Sequence, residues 1–108
     1  MRLHVASTEY VRVPVCARDG STVKNPTGDV VSFAFVPDGQ SLGTAWSPWN
    51  TGLWDPQGST TPWYTAMCLV GPANGGVVLS PGVYRVFVKI SDSPEVPVHM
   101  GGVLEVWA

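Results

Sequence analysis

Residues 80–106, SPGVYRVFVKISDSPEVPVHMGGVLEV, constrain the fold more than any other stretch of this chain. Pro81-Gly82 supplies a turn, after which Tyr84, Val86, Val88 and Ile90 alternate with Val83, Arg85, Phe87 and Lys89. A period of two puts an apolar set on one side of a strand and a mixed, charged set on the other. Ser91-Asp92-Ser93-Pro94 breaks the run, and a second β-rich segment ends in Val103-Leu104-Glu105-Val106. Two strands joined this way predict the closing antiparallel hairpin of a sandwich.

The preceding residues repeat the pattern in shorter pieces. Leu3 to Ala6 reads as a short separate strand. In Glu9 to Ala17, Val11, Val13 and Val15 face a core and Arg12, Pro14 and Cys16 face away. Pro14 cannot donate to a ladder, so this strand belongs at an edge or breaks there. Arg18 to Gly28 carries turn chemistry in Asp19-Gly20 and Asn25-Pro26. Asp29 to Val36 is a strand with Val31, Phe33 and Phe35 as its bulky face, stopped by Pro37-Asp38-Gly39. Thr44 to Trp49 is a weaker strand candidate. Residues 47–62 have no period and are rich in Pro, Trp, Gly, Asn, Ser and Thr, which predicts a long exposed connection. Trp63 to Val70 is apolar on both faces, the mark of a central strand buried on both sides or covered by a partner. Gly71 to Gly76 reads as a loop, and Val77 to Leu79 as a lead-in to the hairpin.

At 108 residues the chain has room for one core, so residues 1–108 are expected to form a single domain. Its 12 Gly and 10 Pro punctuate short strands and argue against helices. About seven short antiparallel strands with turn signals between them predict an all-β immunoglobulin-like sandwich, with a small β-barrel as the alternative. Tyr84, at the head of a strand just after Pro81-Gly82, stands where a tyrosine corner would.

The formal charge of −2 gives no electrostatic footprint for nucleic acid or an anionic membrane. No apolar run approaches a transmembrane span, and Met1 to Val5 leads directly into strand-like sequence without a signal-peptide core. Synthesis in the cytoplasm is the expectation, and with it a reducing environment. Cys16 and Cys68 are therefore read as free thiols. Where an immunoglobulin domain places a Trp after its first Cys, this chain has Val30 and Val31.

Catalytic constellations are not evident. His4 and His99 lie at opposite ends of the chain, without Cys, His or carboxylate at ligand spacing. Asp92 and Glu95 flank Pro94 in turn-capping positions. There is no Gly-x-Ser-x-Gly elbow, and Gly75-Gly76 lacks the Lys of a phosphate loop. The expectation is a non-enzyme with no cofactor and no metal.

The unusual feature is the aromatic supply around the expected long loop: Trp46, Trp49, Trp54, Trp63 and Tyr64. Exposed rings serve as anchors at protein interfaces, where large side chains lose little rotamer entropy. They also serve as stacking platforms for sugar faces. A third reading has two or three of them folding back to cap the core. Trp49 and Trp54, set among Pro, Asn and Gly, are expected to project furthest.

Three strings also carry a family resemblance: ASTEYVRVPV at residues 6–15, CLVGP at 68–72 and SDSPEVPV at 91–98. With the Pro26-Thr27-Gly28-Asp29 turn, the Trp63-Tyr64 strand and the PGxYxVxVK hairpin, they span nearly the whole chain. Together they resemble small single-domain proteins encoded among the virion structural genes of tailed phages of actinobacteria. The closing hairpin is also similar to immunoglobulin-like domains of phage baseplate and decoration proteins, an analogy of fold only. The resemblance implies a virion component, made in the host cytoplasm, that binds other virion proteins in a homo-oligomeric or otherwise symmetric assembly. It implies no catalytic residues. A carbohydrate-binding module displayed on the particle for host attachment is the alternative from a different class.

Overall fold

The computed structural model describes residues 1–19, 22–40, 49–60, 62–91 and 96–108. The strands in chain order are β1 (Arg2–His4), β2 (Glu9–Val15), β3 (Ala17–Asp19), β4 (Thr22–Lys24) and β5 (Val30–Pro37). After them come β6 (Asn50–Thr51), β7 (Leu53–Thr60), β8 (Trp63–Val70), β9 (Gly82–Ser91) and β10 (Val98–Trp107). They form a five-stranded sheet in the order β1-β10-β9-β5-β6, a three-stranded sheet β2-β8-β7, and a two-stranded ribbon β3-β4. No helix occurs among the described residues. The fold is all-β with two sheets, consistent with a β-sandwich.

The hairpin at the C-terminal end forms as its alternation predicts. β9 pairs antiparallel with β10, with Val86 opposite Gly102 and Tyr84 opposite Leu104. A register shift between Met100 and Gly102 puts a bulge in β10. Gly101 sits there because a Cβ would lie 2.6 Å from the Val13 side chain of the facing sheet. Between the sheets one core cluster draws on both: Val11, Val13 and Val15 from β2, and Val31, Phe33 and Phe35 from β5. Ala66, Cys68 and Val70 of β8 join them, with Val86, Val88 and Ile90 of β9, Leu104 and Val106 of β10, and Leu3 of β1. Phe33 is fully enclosed. Tyr84, expected in the core, is half-buried instead, because its hydroxyl donates to the Ser80 carbonyl at 2.7 Å and holds the ring at the rim. Cys16 and Cys68 are both free, and burial pushes the Cys68 thiol up to about 11.

Two expectations need correction. Ala17–Asp19 and Thr22–Lys24, read as the end of a strand and a turn, pair antiparallel as the β3–β4 ribbon. The expected exposed connection over 47–62 is mostly strand. β6 pairs with β5, and β7 pairs with β8 through Leu53–Met67, Trp54–Ala66 and Asp55–Thr65. Pro56 and Gly58 are tolerated because β7 is an edge strand, and the ladder slips between Asp55 and Thr60. The weaker candidate at 44–49 lies outside the described residues except for Trp49. The same is true of the 92–95 part of the hairpin turn.

β1 and β2 divide the start of the chain between the two sheets. β1 runs parallel to β10, with Arg2 opposite Glu105 and His4 opposite Trp107. The chain then crosses over, and β2 pairs with β8 over seven residues, Glu9 opposite Val70 through Val15 opposite Tyr64. Gly71 closes this crossing. Its φ of +138° and the 2.2 Å separation a Cβ would have from the Ser7 carbonyl leave no space for a side chain.

Candidate interaction surfaces

Among the described residues, the rings singled out from the sequence stand on different faces of the two sheets. Trp54 stands on the inner side of β7, packs against the core cluster, and donates its indole Nε1–H to the Asp29 carbonyl at 2.9 Å. It does not project, because the β7 alternation turns it opposite Ala66, toward the core. Trp49 is half-buried on the outer side of the five-stranded sheet, with the Lys89 ammonium 4.6 Å from its ring centroid. Trp63, at the head of β8, is 52% exposed. Tyr64 is half-buried opposite Val15. Trp46 lies outside the described residues.

The outward face of the five-stranded sheet is more informative. Val83 on β9 and Val98, Met100, Val103 and Trp107 on β10 are each between 40% and 53% exposed. Half-buried Phe87, opposite Met100, joins them. At one border Arg2 pairs with Glu105 at 2.6 Å, and its guanidinium also lies over Trp107. His4 meets Trp107 edge-on and accepts the Ala6 N–H at Nδ1. At the other border stand Lys89 with Trp49, and Arg85, whose guanidinium donates to the Gln40 carbonyl. The signal was present in the sequence as Val83, Phe87, Val98, Met100 and Val103, but these residues alternate with the core set and read there as a mixed solvent face.

The outward face of the three-stranded sheet is apolar as well. Tyr10 and Leu53 are exposed, and Met67 and Leu69 between them are half-buried. Arg12 on β2 reaches Asp55 on β7 at 3.4 Å, which bridges the strands that flank β8. Asp55 accepts the backbone N–H groups of Gln57 and Gly58, and these, ahead of Arg12, hold its carboxyl below the usual range.

Between the β1 and β2 edges the two sheets part to leave an open groove of about 220 Å³, with Leu3, Val11 and Leu104 at its base and Arg2, Tyr10 and Arg12 beside it. Among the described residues no three His, Cys, Asp or Glu side chains converge as a metal site would require. Compared with protein-family models, curated proteins and solved structures, the chain shows no match.

Proposed function

We propose that this chain is a non-enzymatic structural protein of a tailed-phage virion, acting by binding neighbouring virion subunits as a capsid decoration, connector or tail component. The observation that carries this reading is the apolar outward face of β9 and β10. A chain with Val83, Val98, Met100, Val103 and Trp107 each roughly half exposed along one hairpin presents a contiguous surface that water does not favour. Repetition in a symmetric particle multiplies whatever affinity one such contact provides. The resemblance to virion structural proteins of actinobacterial phages supports the same reading.

The finer fold reading is an immunoglobulin-like one. β2, β8 and β7 stand in the order of strands B, E and D, while β10, β9, β5 and β6 stand as G, F, C and C′. Tyr84 heads the strand equivalent to F, two residues before Val86, and its hydroxyl reaches back four residues to Ser80 as a tyrosine corner does. In this reading Phe33 replaces the usual core Trp, and valines replace the disulfide.

Mass spectrometry of purified particles tests the function. The chain is expected as a stoichiometric component, and its absence from particles overturns the proposal. A Met100→Asp/Val103→Asp variant should stay folded yet enter particles roughly tenfold less well. Normal incorporation with lost host adsorption and lost binding on a glycan array would instead favour the carbohydrate module.

A further inference from the structure

The β2 edge of the three-stranded sheet carries an inference that stands whether or not the virion reading does. β2 ends its sheet, so one side of it has no neighbouring strand among the described residues. The direction of its free backbone groups follows from its partner. Thr65, opposite Pro14, donates its N–H to Ser59 Oγ at 3.0 Å, and the carbonyl of Leu69, opposite Tyr10, accepts the Val77 N–H at 2.9 Å. Both groups point away from β2. Tyr10, Arg12 and Pro14 therefore occupy the non-hydrogen-bonded positions of the β2–β8 ladder, and their own backbone groups point outward. Pro14 fits there without loss, since the donor it lacks would face the open edge. Tyr10 and Arg12 each present an N–H and a C=O.

We propose that a second copy of this chain pairs here, β2 against β2 in antiparallel register about a two-fold axis, with Val11 opposite Val11 of the second copy. In that register Tyr10 and Arg12 of one copy form hydrogen-bonded pairs with Arg12 and Tyr10 of the other, giving four backbone bonds. The side chains agree with it. Arg12 already lies 5.6 Å from the Tyr10 ring centroid within one chain, and the two-fold sets each Arg12 directly across from the other copy's Tyr10. Inward, Val11 meets Val11 above the groove base of Leu3 and Leu104, so the join continues the core. A shift of two residues one way sets Arg12 against Arg12. The opposite shift sets Glu9 against Val11. Pro14 and the Arg12 charge thus act as register devices at an edge that would otherwise accept any strand.

Sedimentation equilibrium of the whole chain from micromolar to millimolar concentration tests this. A reversible dimer is expected. Arg12→Pro should weaken it roughly hundredfold, since it removes two of the four central bonds and both cation–ring pairs. Pro14→Ala, which restores an outward donor, should tighten it several-fold. A monomer at every concentration, or a dimer indifferent to Arg12→Pro, overturns the proposal. Should Arg12→Pro fail to fold, hydrogen exchange in the unmodified protein decides: the Tyr10 and Arg12 amides must gain protection as the dimer forms, and unchanged exchange overturns it.

Discussion

β5 and β8 both run eight residues with apolar side chains on either face, VVSFAFVP and WYTAMCLV, and they meet different surroundings. On β5 the inner residues Val31, Phe33 and Phe35 are buried, and so are the outer ones, with Ser32, Ala34 and Val36 at 8%, 1% and 0% exposure. The chain leaving β5 turns at Pro37–Gln40, and Arg85 fixes the Gln40 carbonyl on that outer side. On β8 only Ala66, Cys68 and Val70 are buried, while Thr65, Met67 and Leu69 on the outer side stay half-buried. A continuous apolar run therefore reports that a strand wants cover on both faces, without saying where the cover comes from. For β5 the cover lies within this chain. For β8 the outer cover is partial among the described residues: the Arg12–Asp55 bridge crosses it and the Thr65 hydroxyl donates to the Gly58 carbonyl, while Met67 and Leu69 stay half-buried.

The sharpest way to break this contrast is to place the same charge on each outer face. Ala34→Asp puts a carboxylate opposite Phe87 at a buried position and should cost about 3 kcal/mol or more, enough to unfold a marginal domain. Met67→Asp at the half-buried position should cost about 1 kcal/mol or less. Urea midpoints for the two variants compare them directly. Equal losses would mean that the β8 face is as closed as that of β5.

The two tryptophans beside these strands sharpen the comparison at a smaller scale. Trp54→Ala removes core contact and the bond to Asp29, and should destabilise the isolated protein by about 2 kcal/mol. Trp49→Ala, which loses a half-buried ring and its Lys89 contact, should cost about 0.5–1 kcal/mol. Thermal denaturation of the two variants ranks them, and a reversed order would place Trp54 outside the core.

Where the sequence was legible, burial was enforced by strict alternation. Val11, Val13 and Val15 on β2, and Val86, Val88 and Ile90 on β9, point inward as their period of two requires. β7 was not legible, because an edge strand with a register slip tolerates Pro56 and Gly58, the residues that also mark loops. With the strand hidden, Trp54 looked free to project. The outward apolar residues of β9 and β10 were visible one by one. Their contiguity depended on the β9–β10 register and on a bulge at Gly101, and neither can be counted from spacing. No local signal separated the covered outer face of β5 from the half-buried one of β8, since cover depends on how the rest of the chain packs and not on the strand's own residues.

The smallest effect concerns the bridge that partly closes β8. Asp55 accepts from the Gln57 and Gly58 backbone and then pairs with Arg12, all of which favour its charged form in the folded state. Its folded pKa is therefore below the ordinary value of 3.8, whereas the unfolded chain titrates near that value. A depressed folded pKa means that the folded state resists protonation more than the unfolded state does. The stabilisation it gives is complete above the unfolded pKa and is lost as pH falls through the folded one. Between pH 7 and 5 the Asp55 contribution should be flat, and below about pH 4 the urea midpoint should decline more steeply in the unmodified protein than in Asp55→Asn. Other carboxylates titrate in both proteins, so the difference between the two curves isolates this one. Raised salt should weaken the Arg12 part of the difference and leave the backbone part, because screening acts on the exposed ion pair more than on hydrogen bonds closed within the turn. Parallel curves would mean that the bridge contributes nothing to holding β2 and β7 across β8, and that face would then rest on its apolar contacts alone.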